Sequence, residues 1–420
     1  MQNELRFNTK AIHGIVRKKD VHNSLRFPIY ATAAFDFENA GDMEDAFAHR
    51  KPCHAYSRIT NPTVEFFEQT LTLLENGFAG IALSSGMAAL TNTFLNLLQK
   101  GENIIASKYL FGNTCSLLKD TFNKFGIRVH FADVNDPVAL EKAIDENTRA
   151  VFCETIANPQ MHVTDFSKVS RIANQHGLVV ITDNTVTTPY LFEAKKHGVH
   201  IVVHSTTKYI SGGANSVGGA IIDLGNFDWS RIPALEKYHN LDRFAFMARL
   251  RKEVHRNFGS CMSPQTAFLQ TLGLETLSLR IDRSCNNAKI AAEFLETHPK
   301  VKKVNYPGLE SSDFHCLAKE LFRGMGGGVL TFELADKQEA FEFIDALCLI
   351  KRATNINDNK SLVIHPASTI FADFSPKQRQ AMQVTPGLVR MSLGIEDHKD
   401  LLEDISQALD HLSWKGSKRQ

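Results

Sequence analysis

The sequence predicts an α/β protein: a mainly parallel sheet with helices on both faces, followed by a smaller α+β unit. Three observations carry this expectation. From about Thr63 to Asp223, short and almost wholly apolar runs alternate with segments of helical period, as strands buried on both faces do. The polar clusters of that region fall where the apolar runs end, which is where open α/β sheets gather ligands. After about Phe258 the texture shifts to long helical stretches and a glycine-rich piece.

In chain order, residues 1–60, "RFPIYATAAFDF" included, read as extended and poorly self-sufficient, an arm that contacts a neighbouring subunit. "TVEFFEQTLTLLENG" places Val64, Phe67, Leu71 and Leu74 at helical spacing with Gly77 as a stop. "GIALSSG" is a strand running into small residues, and "MAALTNTFLNLLQKG" is a helix. "NIIAS", "RVHFAD", "AVFCET", "LVVITD" and "HIVVHS" read as compact strands. Helical-looking segments near 114–125, 137–146 and 165–176 separate them, giving a large domain over 61–257. The helical stretch 266–297, "RGMGGGVLTFEL" and "RMSLGIED" before a last helix make a C-terminal domain over 258–420.

Composition excludes some functions. With 47 Lys and Arg against 46 Asp and Glu, the formal net charge of +1 leaves no footprint for nucleic acid or anionic membrane. The basic tail "KGSKRQ" (415–420) is short and is expected to fray. The seven cysteines (53, 115, 153, 261, 285, 316 and 348) form no CxxC pair, so reduced, mostly buried thiols are expected, with no disulfide framework and no metal site. The N-terminal stretch holds no long apolar run and nothing reaches membrane-spanning length, so a cytoplasmic protein is expected.

Three motifs carry chemistry. "SSGMAAL" (84–90) is a small-residue turn opening a helix, where the N–H groups of Ser85, Gly86 and Met87 suit a phosphate; a plain strand–helix turn would look the same. In "ITDNTVTTPY", Asp183 follows a buried strand. A carboxylate there needs a partner, either a protonated ring nitrogen or a turn or cap N–H. In "HSTTKYISGG", Ser205 and Thr207 offer hydroxyls and Lys208 stands beyond them. Most lysines are solvated surface charges. One held at a strand end inside a cleft loses solvation, and its pKa falls toward that of a nucleophilic amine.

Together the three motifs say more than each alone. A phosphate-ready turn, an Asp and a Ser-x-Thr-Lys about 25 residues later, all at strand ends, are the set pyridoxal 5'-phosphate needs. A nicotinamide enzyme would need a glycine fingerprint that is missing here. A class I aldolase would use the lysine but not the Asp.

Further stretches extend the pattern: "YSRITNPT" (56–63), "ETIANP" (154–159), "SLVIHPAST" (361–369) and "VRMSLGIED" (389–397). With these the chain resembles the Cys/Met-metabolism group of fold-type I pyridoxal-phosphate enzymes over nearly its whole length. The resemblance implies a mainly parallel seven-stranded sheet and a Schiff-base lysine at Lys208. It implies Asp183 on the pyridine nitrogen, Asn158 near the ring hydroxyl, and the phosphate held by Gly86, Met87, Ser205 and Thr207. Tyr56 and Arg58 would reach the phosphate of the adjacent subunit, making a homotetramer built from dimers. Arg390 would take the substrate carboxylate as a planar fork.

Within that group the chain resembles the sulfhydrylases acting on O-acetylhomoserine. "NFDWSRIPALEKYHNL" (226–241) is a longer segment there, "THPKVKKVNYPGLES" (297–311) is similar, and Asn355 stands where lyases usually carry Ser. The main departure is "KYLFGNTCSLL" (108–118), with Phe111 where most members stack a Tyr on the ring. Stacking survives and the phenol does not; Tyr109 is the nearest phenol that could compensate. Acetate leaves as the base of an acid of pKa roughly 4, a thiolate of one near 8.5. An activated ester therefore needs little acid catalysis, and a lyase reaction benefits from it.

The implied activity is γ-replacement, O-acetylhomoserine and sulfide or a thiol giving homocysteine or methionine and acetate. Methionine γ-lyase or cystathionine γ-synthase chemistry is the alternative, and a catalytically silent binding protein a remote one. The sulfur donor (sulfide, methanethiol or a sulfur-carrier protein) and the choice of acetyl or succinyl ester stay open.

Overall fold

The computed structural model describes residues 5–16, 20–48, 50–51 and 53–412. Its larger sheet holds β1 (Ala79–Leu83), β2 (Asn103–Ser107), β3 (Arg128–Ala132), β4 (Thr148–Glu154), β5 (Val179–Asp183), β6 (Ile201–His204) and β7 (Gly219–Asp223). The order is β1-β7-β6-β5-β4-β2-β3, and only β7 runs against the others. Alternate side chains feed two cores: Ile105, Val151 and Val180 on one face, Ile104, Phe152 and Ile181 on the other. That two-sided burial is why these strands read as continuous apolar runs.

Helices cover both faces. Helix Pro62–Leu74 starts on Asn61, whose side chain accepts the Thr63 N–H, with Pro62 in the first turn. Val64, Phe67, Leu71 and Leu74 are its buried apolar residues.

A second sheet holds β8 (Lys303–Asn305), β9 (Val329–Glu333), β10 (Lys351–Arg352), β11 (Leu362–Ile364) and β12 (Leu388–Ser392), ordered β10-β11-β12-β9-β8. Helices Leu277–Thr297, Lys337–Ala346 and His398–His411 pack on it around Phe332 and Val389. The last of them buries Leu401, Ile405 and Ala408, spaced at helical period, in that core. Helix Leu277–Thr297 serves two cores, with Ile281 and Cys285 against the larger sheet and Ala288 to Leu295 against the smaller.

Three readings of the sequence need correction. The arm is not wholly extended: it carries two short helices, Phe7–His13 and Ala40–Phe47, the second with no buried residue. The cysteines are free but not mostly buried. Cys115, Cys153 and Cys285 are buried, Cys261 is half-buried, and Cys53, Cys316 and Cys348 are exposed. Cys316 sits on the outer side of the short helix His315–Leu321, and Cys348 just past helix Lys337–Ala346. Strand β7 escaped the reading because "GGAIID" opens on glycines. The tail 415–420 lies outside the described residues. Among the described residues no helix is long and apolar enough to cross a membrane, and no His, Cys, Asp and Glu cluster could hold a metal.

Strands β1, β4, β5 and β6 all end at one edge of the larger sheet. Strand β12 brings Arg390 to that edge from the smaller unit.

Candidate active site

Where those strands end, the chain encloses a cavity of about 290 Å³. Ser85, Gly86 and Met87 line it at the start of helix Gly86–Leu97. The Ser85 Oγ accepts the Ala88 N–H at 3.1 Å, and the first N–H groups of the helix have no acceptor within it. Gly86 is needed for the approach of the next loop: a Cβ there would stand 2.7 Å from the Ser205 Cβ and 2.9 Å from its Cα. Ser205 and Thr207 line the cavity too. The Ser205 N–H donates to Thr185 Oγ1 at 2.8 Å, and Thr207 Oγ1 accepts the Gly218 N–H at 3.1 Å. The Thr207 hydroxyl also donates to the Gly218 carbonyl at 3.2 Å. The helix-start N–H groups and the neighbouring hydroxyls after β6 are neutral polar groups gathered at one end of the cavity, the chemistry of an anion site.

Asp183 ends β5 in the cavity wall, its Oδ1 accepting the Thr185 N–H at 2.9 Å. The turn and the ring-nitrogen readings are thus compatible. Burial pushes its carboxyl above the usual range, against the pull of the Thr185 hydrogen bonds, His204 and Lys208, and a directly paired cation would favour its ionised form further. Glu154, in register with it on β4, also lines the cavity. Its Oε1 accepts the Phe111 N–H at 2.7 Å and its Oε2 the Asn158 N–H at 3.2 Å. Burial, and then the neighbouring Asp183, push this carboxyl up to about 8.

Lys208 Nζ donates to Asn355 Oδ1 at 2.5 Å. Burial, followed by the nearby Arg390, lowers its pKa to about 8, against the pull of Asp183 and Asp358. An appreciable share of such an amine is neutral near pH 7 to 8. Arg390 is 1% exposed. Its Nη1 donates to Asn158 Oδ1 at 3.2 Å and its Nη2 to the Asn355 carbonyl at 3.0 Å, while Nε has no acceptor. Burial pushes its pKa down to about 9. A buried cation held by neutral acceptors, with one donor unused, suits an incoming carboxylate.

Phe111 lines the cavity, held by Glu154 through its N–H. Tyr109 does not line it: its ring centroid lies 3.9 Å from that of His162, tilted by 33°, and the hydroxyl accepts from Gln383 Nε2 at 3.3 Å. Its phenol is committed elsewhere. Tyr56 and Arg58 also lie off the cavity of their own chain. Tyr56 is exposed, and Arg58 Nη1 donates to the Arg256 carbonyl at 2.6 Å.

In the sequence Glu154 stood in a polar strand-end cluster without a role, and Thr185 passed unnoticed. Both work on backbone N–H groups, and that leaves no side-chain signature. The donors at the helix start, the buried Asp183 carboxyl at a strand end and the Lys208 amine of lowered pKa are the groups that pyridoxal phosphate would need.

Such a constellation, at the strand ends of a mainly parallel sheet, defines a pyridoxal-phosphate enzyme of α/β architecture. More narrowly, the chain belongs to the family described as Cys/Met metabolism PLP-dependent enzymes, whose sequence model matches residues 8–410. It is 37% identical to an O-acetyl-L-homoserine sulfhydrylase of Leptospira meyeri, covering 96% of each chain. It is 38% identical to an L-methionine gamma-lyase of Pseudomonas putida, covering 96% of this chain and 97% of that one. A Campylobacter jejuni structure assigned as an O-acetylhomoserine (thiol)-lyase matches with a TM-score of 0.93 and 38% identity, over 97% of this chain and 100% of that one. It carries N'-pyridoxyl-lysine-5'-monophosphate.

Proposed function

We propose that this chain catalyses γ-replacement on O-acetylhomoserine, with sulfide or a small thiol displacing acetate to give homocysteine or methionine. The Cγ–O bond breaks with its electron pair leaving on acetate, and a Cγ–S bond forms from the sulfur lone pair. Pyridoxal phosphate, when bound, supplies the electron sink that acidifies the substrate's α-carbon. The chain's residues do the rest. Arg390 takes the α-carboxylate as a two-pronged donor. Asp183 keeps a proton on the ring nitrogen. Ser85, Gly86, Met87, Ser205 and Thr207 hold the phosphate, and Asn158 stands by the ring hydroxyl. Lys208 bears the cofactor and, once freed, moves a proton at Nζ between the α- and β-carbons. Asn355 receives that amine, and Phe111 covers the ring.

The observation that carries the choice of ester over thioether is Phe111 at the cavity wall with Tyr109 turned away. Neither supplies a phenol to protonate a departing thiolate, and acetate needs none. Relatives named for both reactions are about equally similar in sequence, so this local chemistry supports the ranking where overall identity does not.

We also take residues 1–60 as an arm, 61–257 as the cofactor domain and 258–420 as the C-terminal domain of a cytoplasmic homotetramer built from dimers. Tyr56 and Arg58 then complete the phosphate site of the adjacent subunit. A sulfur-carrier protein is an alternative donor to free sulfide.

The test is a steady-state comparison on purified enzyme. O-acetylhomoserine with sulfide should exceed methionine or cystathionine cleavage by orders of magnitude in kcat/KM. Dominant release of methanethiol and α-ketobutyrate from methionine would reverse the assignment.

A further inference from the structure

We propose that Asp358 is a positioning residue for Lys208, acting through the side-chain amide of Asn355. This role rests on Lys208 as the cofactor-bearing amine and not on the choice of substrate.

A side-chain amide has two unlike faces. Lys208 Nζ donates to Asn355 Oδ1 at 2.5 Å, and only the oxygen face can accept it. On the other side Asn355 Nδ2 donates to Asp358 Oδ2 at 3.3 Å. A carboxylate only accepts, so Asp358 selects the orientation that turns the amide oxygen to the lysine. A flipped amide would set NH2 against amine and oxygen against carboxylate, losing both contacts.

The carboxylate itself is fixed. Asp358 is buried, and its Oδ1 accepts the Lys360 N–H at 3.2 Å. The loop around it is tied to both halves of the site. The Asn357 N–H donates to Ser392 Oγ on β12 at 2.7 Å, and Asn359 Nδ2 donates to the Gly212 carbonyl, just past Lys208, at 2.8 Å. Asn357 sits at φ +56°, a left-handed conformation that asparagine tolerates. The same Asn355 offers its backbone carbonyl to Arg390 Nη2 at 3.0 Å. One residue therefore sets the amine against the carboxylate-binding fork.

The charged groups facing the amine are Arg390, which disfavours its protonation, and Asp183 and Asp358, which favour it. Glu154 lines the same cavity. With no phenol at position 111, the amine's resting place and proton affinity govern the proton traffic, and Asp358 acts on both.

Asp358→Asn keeps the size and can keep the hydrogen bond while removing the charge; Asp358→Ala frees the amide. The first measurement is the pH dependence of pyridoxal-phosphate capture by the cofactor-free enzyme, which requires the neutral amine. The second is the pH profile of kcat. Asp358→Asn should move the inflection of capture down by roughly 0.5 to 1 pH unit. Asp358→Ala should add a kcat loss of roughly 10-fold with KM little changed, and Asp358→Glu should restore most of it. In an Asn355→Ser background the through-space part of that shift should remain, while Asp358→Ala should lose most of its kcat effect, because coupled residues are not additive.

An unshifted inflection in Asp358→Asn would overturn the proposal, as would a kcat loss from Asp358→Ala of equal size with and without Asn355. Asp358→Asn decides the matter even if Asp358→Ala fails to fold. Lys208→Ala is run beside them: capture by that variant would refute the lysine assignment, separately from any role of Asp358.

Discussion

The strand-end cavity and the N-terminal arm both carry residues singled out by the same sequence pattern, yet the fold treats them differently. In the cavity, segments as distant in the chain as Ser85 and Arg390 converge, and Arg390 is buried beside Asn158. In the arm, Val21 and Leu25 are at least nine-tenths exposed, and Tyr56 and Arg58 lie off their own cavity. A strand end is fixed by the sheet it belongs to. An arm that buries little apolar surface on its own chain derives its position from whatever covers it. The cavity is thus a property of one chain, and the phosphate contacts proposed for Tyr56 and Arg58 are a property of two.

The largest effect belongs to the cavity. Arg390→Ala should lower kcat/KM by roughly 10²- to 10³-fold, the cost of removing one partner of a buried charge pair. Arg390→Lys, which keeps the charge but loses the planar fork, should fall between. Steady-state kinetics check this, and a loss smaller than a few-fold for Arg390→Ala would remove it from the substrate site.

The arm is tested by mixing subunits. Arg58→Ala should weaken cofactor retention roughly 10-fold, the scale of one charge-assisted hydrogen bond. Combined with Lys208→Ala subunits it should regain wild-type cofactor retention at one site of each hybrid dimer, the site in which both residues are intact. Hybrids whose one Lys208-bearing site holds the cofactor no better than Arg58→Ala would place Arg58 in the service of its own chain.

The smallest effect is on stability and has a definite sign. Glu154 ionises near 4.5 in an unfolded chain and near 8 in the fold. Between those values the folded state binds more protons, so this group's contribution is full below about pH 4.5 and is lost as pH rises through 8. Glu154→Gln removes that slope. Thermal melts of the cofactor-free protein should show the variant's Tm rising by a few degrees relative to wild type between about pH 5 and 8. A pH-independent difference would contradict the buried, protonated carboxyl.

The strands of the larger sheet were legible because burial on both faces writes them as apolar runs, "AVFCET" and "LVVITD" above all. That Lys208, Asp183 and Gly86 line one cavity was legible because they fall at or just past the ends of those runs. Glu154 and Asp358 were not, since each acts on backbone N–H groups or on an amide that only the folded loops bring near. The turning of Tyr109 toward His162 had no local signal either, because its partners come from residues 162 and 383. Cysteine exposure differs from the expectation because a small side chain fits a helix surface, as Cys316 does, or a loop, as Cys53 and Cys348 do, as readily as a core.

The most direct test is to reduce the cofactor-loaded enzyme with borohydride and map the pyridoxyl group by peptide mass spectrometry. A Schiff base at Lys208 predicts a single adduct on that residue, lost in Lys208→Ala. An adduct on any other lysine, or an undiminished one in that variant, would contradict it.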